Sequence, residues 1–148
     1  MKIEMITGIV LFILMCITGA IDIHSRKIPL WCLLIGAADA VAGLIEEALK
    51  GTGSITAVSI AIDMLPGIMF LLISWTTNEK IGYGDGMMIL IIGLIMHSQL
   101  CITAVAIGLV ISSMFSVIMI FTKRMNLRTR IPFIPFLTIG VGISLWAM

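Results

Sequence analysis

Apolar runs separated by charged or turn-forming residues divide the chain into six stretches, at about 5–22, 29–45, 55–75, 87–98, 100–121 and 131–147. A helix that crosses a bilayer needs about 20 apolar residues, so the pattern predicts an all-α polytopic membrane protein. Its expected architecture is a bundle of six transmembrane helices in one domain, residues 1–148. The fourth stretch is the weakest: Met87 to Ser98 is only twelve residues. That run either begins inside the glycine-rich segment before it or reaches only part-way across. The loop to the fifth stretch is correspondingly tight. The first run follows Met1-Lys2 with no evident small-residue cleavage site and reads as a retained first helix.

Composition removes the alternatives to a membrane protein. Hydrophobic residues make up 60% and charged residues 11%, with a mean hydropathy of +1.21, which excludes a water-soluble globule. Nine Lys plus Arg against eight Asp plus Glu excludes a chain disordered by charge. The net charge of +1 carries no signal for nucleic acid, so membrane lipid is expected as a partner and nucleic acid is not. Six crossings take about 120 residues, leaving no room for a separate aqueous domain. Any chemistry must sit in the helices or in the few residues joining them. Cys16, Cys32 and Cys101 are scattered without a CxxC pair, which suggests small apolar core thiols rather than a zinc site or disulfides.

Basic residues set the expected orientation. The joins after the first, third and fifth stretches hold seven of them, Arg26, Lys27, Lys80, Lys123, Arg124, Arg128 and Arg130, and the other side holds only Lys2 and Lys50. The seven-residue side is expected to be cytoplasmic, with both termini outside a plasma or inner membrane. The basic run from Lys123 to Arg130 anchors that topology against anionic headgroups.

An acid within a span is costly and marks a candidate function. Asp22 ends the first stretch, and Asp85 precedes the fourth inside Gly82-Tyr83-Gly84-Asp85-Gly86, so both lie at similar depth under the cytoplasmic face. Two carboxylates that approach across a bundle can share a proton, one activating water while the other protonates a leaving group. Gly82, Gly84 and Gly86 permit close approach of a neighbouring helix or an extended substrate. The competing structural reading pairs Asp22 with Arg26 or Lys27 and makes Asp85 a helix N-cap. Under the catalytic reading, Asp85 near a helix N-terminus suits the base and Asp22 near a C-terminus suits the acid. Coupled titration leaves the reverse assignment open. No metal or cofactor is required.

Three segments carry a family resemblance: Asp22-Ile23-His24-Ser25-Arg26-Lys27-Ile28-Pro29, then Gly82-Tyr83-Gly84-Asp85, then Ile131-Pro132-Phe133-Ile134-Pro135-Phe136-Leu137. In this order they resemble the signature segments of the type IV prepilin peptidase family, and the resemblance covers nearly the whole chain. An Asp seven residues before Pro, combined with GxGD, is more specific than either feature alone. The resemblance implies an intramembrane aspartyl endopeptidase that cuts the short basic leader from pilin-like or archaellin-like precursors, with Asp22 and Asp85 as its catalytic pair. The chain departs from the family at Leu30, where Asn or Asp is common, and at Ile134, where Gly is frequent. Without CxxC motifs, cleavage without methyl transfer is expected. GxGD also occurs in presenilins and signal-peptide peptidases, which resemble this chain in little else.

Pro29 opens the second helix where a missing amide costs nothing, and Pro132 and Pro135 do the same in the sixth. The functional alternative makes the Pro132–Phe136 segment the floor of an active cavity. Gly36, Ala40 and Gly43 give a close-packing face, and His24 and His97 read as solvated or interfacial. Asp39 and Asp63 are the rival carboxylates, expected at about 15 and 18 Å from the cytoplasmic ends of their helices, with Pro66 near enough to bend the second of them. They support a different reading, a small ion-coupled transporter with a midplane site. A third is a non-catalytic subunit of a filament-assembly machine. Transport predicts that Asp39 and Asp63 matter most, and the assembly reading predicts that no single aspartate matters.

Overall fold

The structure, a computed structural model, describes residues 2–25, 28–50, 56–77, 82–122 and 132–146. They form five helices: α1 (Lys2–Ser25), α2 (Leu30–Lys50), α3 (Ala57–Thr76), α4 (Tyr83–Phe121) and α5 (Ile134–Trp146). The described helices grow from the apolar runs, and several of their hydroxyl side chains turn back onto carbonyls of the same helix. Thr18 Oγ1 donates to Leu14 O at 2.7 Å and Ser116 Oγ to Ser112 O at 2.8 Å. That bonding lets polar residues sit in an apolar helix without an orphaned donor.

Instead of six separate helices, the fourth and fifth runs share α4. At 39 residues a straight helix would be about 58 Å long, but α4 is broken at His97, where φ is 60° and ψ is 161°. The Cys101 thiol donates to Ile89 O at 3.5 Å, although residues twelve apart on a straight helix stand about 18 Å apart. The chain therefore reverses at His97, and α4 is a hairpin of two arms, 83–96 and 98–121. The tight connection expected between these runs is a single non-helical residue.

Close contacts fix the directions of the remaining elements. A Cβ on Gly86 would meet Leu71, one on Gly67 would meet Leu90, and one on Gly93 would meet the Asp63 carbonyl, so α3 and the first arm run antiparallel. Gly108 faces Leu137 and Gly140 faces the Ala104 carbonyl, so α5 runs antiparallel to the second arm. Gly8 against Leu145 and Gly19 against Pro135 orient α5 on α1 in the same way. Gly36, on the expected close-packing face of α2, approaches Leu14 of α1 and Ile91 of α4. The described ends near residues 8 and 145 consequently share one end of the bundle, opposite the Asp22 end of α1.

The core between these helices contains Leu11, Met15, Met88, Ile92, Leu137 and Val141, each fully buried. Cys32 and Cys101 are buried in it as expected, whereas Cys16 is exposed on the outer face of α1. Large apolar side chains cover the exterior, among them Ile13, Leu34, Leu65, Leu72 and Met114, all half or more exposed. Three helical segments, Ile6–Ser25, α3 and α4, are long and apolar enough to cross a membrane, which marks the chain as a membrane protein. Asp39, Glu46, Glu47 and Lys50 interrupt α2, and α5 has only 13 residues. The seven basic residues used to orient the chain lie outside the described residues.

The reversal in α4 is held from α3. Asp63 Oδ1 accepts the Ser98 N–H at 2.6 Å, capping the second arm from another helix, and Asp63 Oδ2 lies 3.0 Å from His97 Nδ1. Asp63→Ala leaves the Ser98 amide without that acceptor and removes the partner of a residue held in a conformation that glycine prefers. The expected loss is about 1–3 kcal/mol, read as a lower unfolding midpoint in detergent, with Asp63→Asn losing less because its amide oxygen can still accept.

Candidate active site

Asp22 and Asp85, far apart in sequence, come together at one end of the bundle. Asp22 lies on the last turn of α1 and is 6% exposed. Asp85 lies in the first turn of α4, half-buried, with Gly82 as the N-cap and the Asp85 N–H bonded to Gly82 O at 3.1 Å. The Asp22 carboxylate acts electrostatically on that of Asp85, as two like charges sharing a site do. Asp85 therefore lies in the first turn of α4 but is not its N-cap, a position that Gly82 takes.

The glycine segment brings this about by contact. A Cβ on Gly84 would stand 2.7 Å from Ile28 Cδ1 and 3.1 Å from Ile28 Cβ, and one on Gly86 would stand 2.8 Å from Leu71 Cδ2. The start of α4 is thus wedged between the α1–α2 link and α3, with no side chain holding it away. A Cβ on Gly82 would face Asp85 Oδ2 at 3.3 Å, so that glycine leaves room for the carboxylate itself. Pro29 directly precedes α2 and its carbonyl accepts the Cys32 N–H at 3.0 Å. Pro132 lies before α5 and Pro135 lies in its first turn.

A participant that the sequence does not reveal enters from α5. Ile134 N–H donates to Asp22 Oδ2 at 3.4 Å. The first turn of a helix leaves amides unpaired, but here Phe136 N–H and Leu137 N–H both donate to Phe133 O at 3.1 Å, and Pro135 has no N–H. The Ile134 amide is the open donor of that turn, and it faces Asp22. One turn further on, the Thr138 hydroxyl shares its hydrogen between Ile134 O of its own helix at 2.9 Å and Met15 O across the seam at 3.1 Å, while Pro135 backbone packs 3.5 Å from the Cβ position of Gly19. Met15, Gly19 and Asp22 occupy one face of α1 at helical spacing, so the same seam that joins α1 to α5 positions Asp22. Phe133 stacks with Phe70 of α3 at a centroid separation of 6.5 Å, placing the Pro132–Phe136 segment alongside the site. Thr138→Val is expected to lower stability by about 0.6 kcal/mol, the typical value of a hydrogen bond between helices in a membrane. Thr138→Ser should retain it, compared by thermal unfolding.

The rival carboxylates, Asp63 and Asp39, have different surroundings. Both oxygens of Asp63 are engaged by His97 and Ser98, while Asp39 Oδ2 is buried with no hydrogen-bond partner. No hydrogen bond joins the two among the described residues. His97 is 58% exposed at its side chain, as an interfacial residue should be, but its link to Asp63 was not expected. His24 is exposed on α1. Arg26 and Lys27, the alternative partners for Asp22, lie outside the described residues.

Compared with protein-family models, curated proteins and solved structures, the chain matches none.

Proposed function

We propose that this chain is an intramembrane aspartyl endopeptidase that removes the short basic leader from type IV pilin-like or archaellin-like precursors. The observation that carries the reading is the meeting of Asp22 and Asp85 at one end of the bundle, together with the resemblance of the segments that hold them to the prepilin peptidases. In this reading the chain crosses the membrane six times, the two arms of α4 counting separately. Both termini lie outside, and the pair lies at the cytoplasmic face, the side that the basic joins select.

The chemistry needs only the two carboxyl groups and water. With one proton between them, the ionised group takes a proton from water as its oxygen attacks the scissile carbonyl carbon. The protonated group then gives its proton to the leaving nitrogen as the C–N bond breaks, producing a free amine and a carboxylic acid. The pair again holds one proton, now on the other member, and its return restores the starting state. The apolar helices around the site limit competing water.

Proteoliposomes containing the wild-type chain should cut such a precursor at its leader boundary, and Asp39→Asn should cut at a similar rate. Failure of wild-type proteoliposomes across a panel of precursors with basic leaders would sink the peptidase reading.

A further inference from the structure

We infer that the pair's single negative charge rests on Asp22, held there by the Ile134 amide, and that Asp85 carries the shared proton. This inference rests on the proposed pair and assigns its two roles. Three structural observations support it. First, a main-chain donor reaches Asp22 Oδ2 at 3.4 Å, whereas no donor reaches the Asp85 carboxyl among the described residues. Second, the first turn of α5 directs that amide alone. Phe136 and Leu137 are tied to Phe133 O and Pro135 offers no hydrogen, so nothing else in the turn competes for or shares the contact. Third, the α1–α5 seam holds the two partners in register through Thr138 and Met15, with Gly19 allowing the helices to close.

The opposing effects are weaker. The C-terminal end of α1 disfavours charge on Asp22, but the N-terminal end of α5 meets it there with the opposite sign, and the two fields offset each other. The N-terminal field of α4 favours charge on Asp85, yet an undirected field is worth less than a hydrogen bond from a donor to an ionised oxygen. Asp22 is the more buried of the two in accessible surface, 6% exposed. Burial makes ionisation there costly without a donor, and the donor is present. Among the described residues, the other titratable side chains at this end, His24 and Tyr83, are exposed. The described ends of α2 and α5 bring only apolar side chains and main chain to the pair.

For the proposed hydrolysis, Asp22 is then the group that takes the proton from water and Asp85 the group that delivers one to the leaving nitrogen. This reverses the assignment based on α1 and α4 alone, which omits α5.

The test needs no precursor. Protein labelled with 13C at the aspartate carboxyls is reconstituted in lipid, and its infrared carboxylic-acid band is recorded at neutral pH, with Asp22→Asn/Asp85→Asn subtracted to remove Asp39 and Asp63. The band should persist in Asp22→Asn and vanish in Asp85→Asn. Adding Ile134→Pro to Asp85→Asn, which deletes the amide hydrogen, should bring a band back, and adding Ile134→Val should not. The reverse pattern, loss in both single variants or loss in neither overturns the assignment. Because cleavage is measured separately, an inactive wild-type protein with the expected bands would refute the peptidase reading alone. An active protein with the reverse bands would refute this inference alone.

Discussion

Asp22→Asn and Asp85→Asn are each expected to lower precursor cleavage by about 10²–10⁴-fold, the contribution of a positioned acid or base in proton transfer. Asparagine keeps the size of the side chain and removes the exchangeable carboxyl proton, so the helix contacts of both positions are retained. The two losses should not add. Either change alone breaks the single proton circuit, so the double variant should be about as slow as the slower single one. Asp63→Asn provides the contrast: its carboxylate caps the second arm of α4 at the far end of α3, so its effect should appear in the unfolding midpoint before the cleavage rate. Time courses with purified wild-type and variant proteoliposomes at matched protein density would measure all four. Equal losses at Asp22, Asp63 and Asp85 would contradict a dedicated pair, and no loss at any of them would favour a non-catalytic filament-machine subunit.

The helices are legible because apolar runs in a membrane protein need no amphipathic periodicity to reveal them; length and interruption suffice. The expected start of the fourth run at Met87 moves back to Tyr83 because Gly82 can act as an N-cap and the glycines do not stop a helix that packs on Ile28 and Leu71. The last helix begins at Ile134 rather than near 131, since Phe133 O collects the first amides. The break at His97 was legible as a tight join, but its cause was not. The capping carboxylate comes from Asp63, 35 residues away, and no local pattern encodes a cap supplied by another helix. The Asp22–Asp85 meeting was legible from equal depth and from the family-like segments. The Ile134 donor was not, because a main-chain amide carries no residue signature. The spacing of Pro132 and Pro135 does hold a trace of it, since proline in the first turn removes one of its free amides.

Adding one methyl group at Gly84 should separate the pair without unfolding the bundle. The Cβ of Gly84→Ala would stand 2.7 Å from Ile28 Cδ1 and 3.1 Å from Ile28 Cβ. The first contact can be relieved by rotating the Ile28 side chain, but the second lies next to the backbone and requires the α1–α2 link or the start of α4 to move. Asp85 is the next residue along, and a displacement of about 1 Å in a catalytic group can cost on the order of 10²-fold in rate. Gly84→Ala is therefore expected to reduce kcat by roughly that factor while α3 and the rest of α4 stay packed. The far larger clash at Gly93, against the Asp63 carbonyl, should instead disrupt folding. Removing the opposing side chain distinguishes geometry from general damage: Ile28→Gly combined with Gly84→Ala removes Cβ as well as Cδ1 and Cγ1 from the contact, and the double variant should recover most of the lost rate. If the double variant is slower than Gly84→Ala, Ile28 is holding the site together by packing, and the close approach at Gly84 is not what sets the distance between the carboxylates.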